Sequence, residues 1–474
     1  MDKKIVKNYI YSNIYQLILV VTPLITTPYL TRAMGAEVLS INSWTANIVQ
    51  WFVLFGIMGI NKYGNREIAK VRDNQEQLSR TFIEIFLMQI STLAISSIVY
   101  LVYIIVFNPV YKIIMLIQGI TLIGVAVDIT WFFYGIEDLK KVTIRNVAVK
   151  LIGIALIFAL VKGSEDLIAF VLINTLTGVF GQVIVWSQLV KQITYYKVKF
   201  KDVIKHYKPN FALFIPQIAI SVYSILDITM LGALYEDLRF VNFYEQSSKL
   251  VKMFMFFITS IGSVMLPRIA NIYAKNEHEK IKTYLQKTFN FAFYLSIPMI
   301  FGIVSIIHNF IGWFLPSEYS VVGNMIIAIS PIILFISISN VYGIQYMVPI
   351  GMTKQYSISV ICGAIINFII NLILIPQFGA YGAIVGSVVA ELMVTSVQYF
   401  FIRKQLKLKI ENKSLLNVII SSLIMANVVY MVGLLGQNIL VNLAQALAGL
   451  LVYFMMLLIL KDPFIKEMKD SIKH

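Results

Sequence analysis

Charge and cysteine are what this sequence has least of. Only 13% of its 474 residues are charged, against 58% hydrophobic and a mean hydropathy of +0.79, which excludes an ordinary soluble domain. The one cysteine, Cys362, sits inside an apolar run, so an intrachain disulfide and a cysteine metal centre are both excluded. The four histidines, His206, His278, His308 and His474, are scattered without ligand spacing, and no metal or other bound cofactor is expected. Connecting segments stay below about twenty residues, which leaves no room for a catalytic domain outside the apolar runs. Whatever this protein does, it does between its apolar segments.

Those segments are long and recur throughout. Each of about twenty residues is enough for a helix to cross a hydrocarbon core of roughly 30 Å. Lipid offers no partners to free backbone groups, and no alternating strand pattern appears, so the expected fold is all-α: a polytopic membrane protein. Polar punctuation predicts about fourteen spans, at 9–31, 39–61, 82–107, 111–134, 143–161, 167–190, 209–234, 241–266, 286–311, 323–348, 356–376, 381–402, 415–435 and 439–460. Lys3, Lys4 and Lys7 precede the first, which ends near Ala33-Met34-Gly35 as a signal peptide would. Its length and the many spans behind it favour an uncleaved helix.

The net charge of +15 is a matter of topology. With both termini in the cytoplasm, thirty-three of the 39 Lys and Arg residues fall on the cytoplasmic side, and only Arg32, Lys112, Lys162 and Arg239 fall outside. Lys249 and Lys252 remain within the membrane. Anionic lipid accounts for such a surface, and nucleic acid is not an expected partner.

Weak internal echoes suggest duplication. Gly35 in TTPYLTRAMGAEVLSINSW matches Gly232 in SILDITMLGALYEDLRFVNFY, FYGIEDLKKVTIRN (133–146) echoes MVPIGMTKQYSISV (347–360), and LVKQ at the end of the sixth span parallels IRKQ at the end of the twelfth. The expected organisation is two pseudo-symmetric six-helix lobes, 1–205 and 206–410, followed by two additional helices and a cytoplasmic tail in 411–474. Parallel repeats of this kind are a transporter architecture with the substrate site at the repeat interface.

Polar residues fall in stripes. The seventh span carries Asn210, Gln217, Ser221, Ser224 and Asp227 on one helix face; the eighth carries Glu245, Lys249, Lys252, Thr259 and Ser263. The second offers Ser40, Ser43, Asn47 and Gln50, and the twelfth Ser387, Glu391 and Gln398. Single Ser, Thr and Asn residues commonly join helices, but stripes with charged members point to a wet cavity. At 1.5 Å per residue from Val241, Lys249 lies about 12 Å deep and Lys252 about 16 Å deep, near the midplane. A charge there costs roughly 2.5–3.5 kcal/mol on insertion scales. Glu245 can pair with Lys249 at i,i+4, leaving Lys252 with spare positive charge. An anionic substrate suits such a site; an internal salt bridge to Asp227 or Glu391 is the structural alternative. Asp227 and Glu391, as intramembrane acids, are candidate coupling sites for H+ or Na+.

TPYLTRAMG (27–35), YGNREIAKVRDN (63–74), DITWFFYGIEDLKKVTIRN (128–146), FIPQIAISVYSILDITMLG (214–232), FYEQSSKLVK (243–252), SVMLPRIA (263–270) and ISVICGAIINFIINLILIPQFGAYGAIVGSVVAEL (358–392) together resemble the Wzx-type oligosaccharide flippases of the MATE-like exporter (MOP) superfamily. The resemblance runs from about residue 9 to about residue 405. It implies a non-enzymatic flippase that moves polyprenyl-diphosphate-linked repeat units across the bacterial cytoplasmic membrane by alternating access, for capsule, exopolysaccharide or a similar surface glycan. A glycan polymerase and glycosyltransferases would be its partners. In that reading Lys249, Lys252 and Arg32 supply the cation field for the diphosphate, Glu245 orients Lys249, and Asn47, Gln50, Gln217 and Tyr244 meet the sugars. Where the family resemblance leads one to expect Lys after Asp227, this chain has Ile228, which puts an Asp-Lys pair there in doubt. The competing readings are a peptidoglycan-precursor (lipid II-like) flippase, a cation-coupled multidrug antiporter of the same superfamily, and a membrane enzyme such as a glycan polymerase or acyltransferase.

Overall fold

The computed structural model describes residues 3–190 and 192–465; within them the side chains of 3–17, 19, 20, 215–217, 219, 220, 222–224, 256–264, 267 and 278 are outside the description. The described residues form helices and no strands. They fall into two compact units, Met1–Thr229 and Met230–His474.

The first unit begins with α1 (Lys3–Ile57), α2 (Ile60–Val71) and α3 (Gln75–Phe107). It continues with α4 (Lys112–Ala126), α5 (Thr130–Gly135), α6 (Leu139–Leu160), α7 (Leu167–Leu189) and the short α8 (Phe200–Ile204), and takes in most of α9 (Tyr207–Leu234). The sequence predicts a break between its first two spans, and α1 consists of two helical arms that meet at a kink at one non-helical residue, Gly35, with φ 74 and ψ 169. Without a Cβ, glycine enters this conformation at little cost, so one residue serves as the break. α1 packs against α3, α4 and α6, and α7 against α4 and α6. The core beneath α2 and α5 is aromatic, with Phe82, Trp131, Phe132 and Phe133 buried.

The second unit comprises α10 (Arg239–Ala274), α11 (His278–Phe314), α12 (Ser320–Ile329), α13 (Ile332–Ser339) with a π-helical continuation (Asn340–Met347), α14 (Thr353–Phe378), α15 (Ala380–Ile402), α16 (Asn412–Gly433) and α17 (Ile439–Ile459). α14 and α15 approach most closely, and Gly382 permits it: a Cβ there would lie 2.5 Å from the carbonyl of Leu374. In α16 and α17 the usual pattern of a soluble protein is inverted. Ser421, Ser422, Asn442 and Gln445 are buried, whereas Leu443, Leu447, Leu450 and Leu451 face outward. Gln445 of α17 donates to Val429 O of α16 and Trp313 of α11 donates to Asn442 Oδ1, and interior polar groups with leucines turned outward are what a lipid environment selects.

Among the described residues ten helices are long and apolar enough to cross a membrane, or eleven if the bent pair Ser317–Ile329 and Ile332–Met347 is one span. The protein is a multi-pass membrane protein. Two predicted continuous spans are broken. The run 323–348 bends by 43° where Pro331, lacking an N–H, starts α13. The run 111–134 breaks at Val127–Ile129, between α4 and α5.

Candidate functional site

Helix α10 has two unlike faces. Gln246, Ser247, Leu250 and Val251 are buried within the second unit, while Lys249 and Lys252 are exposed. The rotation is fixed by two hydrogen bonds: the Tyr319 hydroxyl donates to Asn242 Oδ1 at 2.7 Å, and the Tyr244 hydroxyl lies 3.0 Å from Ser387 Oγ on α15. Lys249 Nζ pairs with Glu245 Oε1 at 2.7 Å, one helical turn back. Lys252 makes no ion pair among the described residues. Glu245, Lys249 and Lys252 therefore form one charged strip. Facing lipid, Lys252 would bear the full insertion penalty of roughly 2.5–3.5 kcal/mol, so the strip is suited to water or an anion.

The other predicted residues are placed as follows. Glu391 is buried on α15, and its carbonyl accepts from Thr395 Oγ1 at 2.8 Å; Asp227 is buried on α9. In the first unit Arg32 is exposed and donates to Pro28 O at 2.9 Å. Asn47 Oδ1 is 3.4 Å from Thr229 Oγ1, the same hydroxyl that accepts from Trp51 Nε1 at 2.9 Å. Gln50, one turn on, is exposed. Asn47 and Gln50 thus share a part of α1 that is bonded to the end of α9. Asn210 is fully buried, and neither amide atom has a partner among the described residues. The side chains of Gln217, Ser224, Thr259 and Ser263 lie outside the described residues.

Sequence reasoning missed two buried polar assemblies in the first unit. At the first, Glu84 accepts from Arg80 Nε, Lys205 Nζ and His206 Nε2, each at 2.8 Å, and His206 Nδ1 lies 2.6 Å from the Tyr63 hydroxyl. The available signal was an acid just inside the third apolar run, four residues after Arg80. The second closes the broken span. Gln89 Nε2 donates to Val125 O at 2.9 Å and Asp128 O at 2.8 Å, its Oε1 accepts from Trp131 Nε1 at 2.8 Å, and Trp186 Nε1 donates to Val127 O at 2.8 Å. Val127 O and Asp128 O, freed by the break, are thereby satisfied where lipid could not satisfy them. Beside it, Arg145 is a buried residue of α6, bonded to Gln182 Oε1 at 2.8 Å and Thr130 Oγ1 at 3.1 Å.

A family model described as polysaccharide biosynthesis protein matches residues 5–273, more than half of the chain. The chain belongs to that family. A second model, MatE, matches residues 212–373, so the resemblance to Wzx-type members of the MATE-like superfamily is borne out. Among relatives of this family member, a candidate O-antigen transporter of Shigella dysenteriae is 26% identical over 378 residues, covering 78% of this chain and 93% of the relative. Another candidate O-antigen transporter, from Escherichia coli, is 25% identical over 405 residues, covering 84% and 96%. Among solved structures, the lipid II flippase MurJ in an inward closed conformation shares the fold with a TM-score of 0.76 at 16% identity, over 97% of this chain and 99% of that one.

Proposed function

We propose that this protein is a flippase for polyprenyl-diphosphate-linked oligosaccharide repeat units, working by alternating access in the bacterial cytoplasmic membrane to supply surface polysaccharide synthesis. The exposed charged strip of α10 carries this reading. A diphosphate brings at least two negative charges into a low-dielectric region, where a fixed cation attracts it several-fold more strongly than in water. Lys252 is the main cation. Lys249 is largely offset by Glu245, and Arg32 adds positive charge from the first unit. Lysine is a flexible point charge able to follow a moving phosphate. Asn47 and Gln50 meet the sugars. Tyr244, engaged with Ser387 in the interior, instead sets the angle at which the strip is presented.

Fourteen crossings follow if the two arms of α1 about Gly35 each span, the bent pair counts as one, and α9 and α10 also cross. In this arrangement 1–205 and 206–410 form the two repeats, 411–474 adds two helices and a tail, and both termini face the cytoplasm. A glycan polymerase and glycosyltransferases act on either side of the step. The experiment is reconstitution in vesicles with polyprenyl-diphosphate oligosaccharide, reading its access to a membrane-impermeant reagent. No transfer above empty vesicles would overturn the reading, and transfer of a peptidoglycan precursor alone would favour the lipid II-like alternative. Cysteines placed at 199 or 275 should resist labelling from outside intact cells, and labelling there would reverse the topology.

A further inference from the structure

The chain between α7 and α9 is fastened to α3 along its course. Gln75 Nε2 donates to Gln192 O at 2.5 Å, and Thr194 N donates to Ser79 Oγ at 3.0 Å. Arg80 lies over the Tyr196 ring, 5.4 Å from its centroid, and pairs with Asp202 at 3.2 Å. Glu84 then takes Lys205 and His206. Positions 75, 79, 80 and 84 sweep around about half of a helix with 3.6 residues per turn, and their partners follow in the same chain order. The segment is zipped to α3 rather than pinned at one point.

The zipper continues into α9. Ser91 Oγ meets the Tyr207 hydroxyl at 2.5 Å, and at the other end Trp44 Nε1 of α1 donates to Thr229 O at 3.3 Å. The first compact unit accordingly extends to Thr229, well past the segment that separates the two sequence repeats. Glu84 is the most buried charge in this series, 1% exposed. Detaching the segment would take Lys205 and His206 from a buried carboxylate and leave it Arg80 alone, an uphill step.

We infer that Glu84 is a positioning residue for transport: it keeps residues 192–206 and α9 attached to α1–α3 throughout the cycle, so the segment does not peel away as access alternates. The inference rests on the flippase reading. In a Cys362→Ser background, Ser79→Cys with Thr194→Cys places two thiols where Oγ and Oγ1 are 3.3 Å apart, within reach of a disulfide. With the disulfide closed, reconstituted protein should move lipid-linked oligosaccharide within about twofold of the reduced form. A loss beyond about tenfold that reductant reverses would overturn the inference. Backbone hydrogen exchange provides a measure that needs no substrate. Glu84→Gln should speed exchange across 192–206 by about tenfold or more with α14 and α15 unchanged, and Glu84→Asp should restore part of the protection. Unchanged exchange in Glu84→Gln would equally overturn it. If the reduced protein moves no oligosaccharide, the flippase reading fails while the exchange data still decide the clamp.

Discussion

The charged strip of α10 makes an unequal prediction for its two lysines. Lys249 is held 2.7 Å from Glu245, so the pair presents little net charge, whereas Lys252 has no ion pair among the described residues. A unit charge 4–6 Å from Lys252 Nζ gains about 3–4 kcal/mol at an effective dielectric of 20, and about 1 kcal/mol in bulk water. Lys252→Ala should therefore slow flipping by roughly 100- to 1,000-fold. Removing the offset pair together, in Glu245→Gln/Lys249→Ala, leaves the net charge of the strip unchanged, so its loss should stay below about tenfold, and Lys252→Arg should retain part of the activity. Glu245→Gln leaves Lys249 uncompensated and should tighten substrate binding while slowing release. The assay is initial rate of transfer in vesicles, at matched amounts of folded protein, with binding measured separately. Equal effects of Glu245→Gln/Lys249→Ala and Lys252→Ala would refute the reasoning, and wild-type transfer by Lys249→Ala/Lys252→Ala would remove the strip from the mechanism altogether. Loss of folded protein in Lys252→Ala would instead mark Lys252 as a member of an internal salt bridge.

Four further outcomes follow. Gly382→Ala should lower stability by about 1–3 kcal/mol, because the added methyl meets the Leu374 backbone, while Gly163→Ala, with open space around it, should be close to neutral in the same thermal melt. Gln89→Leu should destabilise by at least about 1–3 kcal/mol through the orphaned carbonyls of the α4–α5 break, and unchanged unfolding in detergent would show that the break is satisfied otherwise. Asp227→Asn and Glu391→Gln should uncouple transport from the ion gradient, and unaltered gradient dependence in both would end their candidacy as coupling sites. Between α9 and α10 the Arg239 side chain hydrogen-bonds Asp237 and holds its carboxyl below the usual range. The small stability this gives is present above the unfolded carboxyl's pKa near about 3.9 and fades as pH falls through the lower folded value. Asp237→Asn should flatten that acid limb of a denaturation curve.

Much of the architecture was legible because exposure to lipid is written one residue at a time. Apolar length predicts a helical membrane protein, and alternation of polar and apolar positions correctly turns Lys249 and Lys252 to the same side of α10. The i,i+4 spacing likewise predicts the Glu245–Lys249 pair, since helix geometry alone brings those groups together. The partner of the Tyr244 hydroxyl was less legible, since Ser387 lies 143 positions away. Gly35, read as a hairpin landmark, is where two helical arms meet at a kink, in a positive-φ conformation open to glycine.

By itself, then, the sequence determined the membrane class, the all-helical fold and the cationic strip, all of which depend on local periodicity and on the cost of placing charge in lipid. Only the tertiary structure decided how the interior polar groups are partnered. Glu84 meets His206 across 122 positions, and Gln89 reaches the carbonyls of a helix break 36 to 39 positions away. No periodicity encodes such meetings: a buried acceptor is satisfied by whichever donor the packing brings within 3 Å or so, and that is settled when the helices assemble.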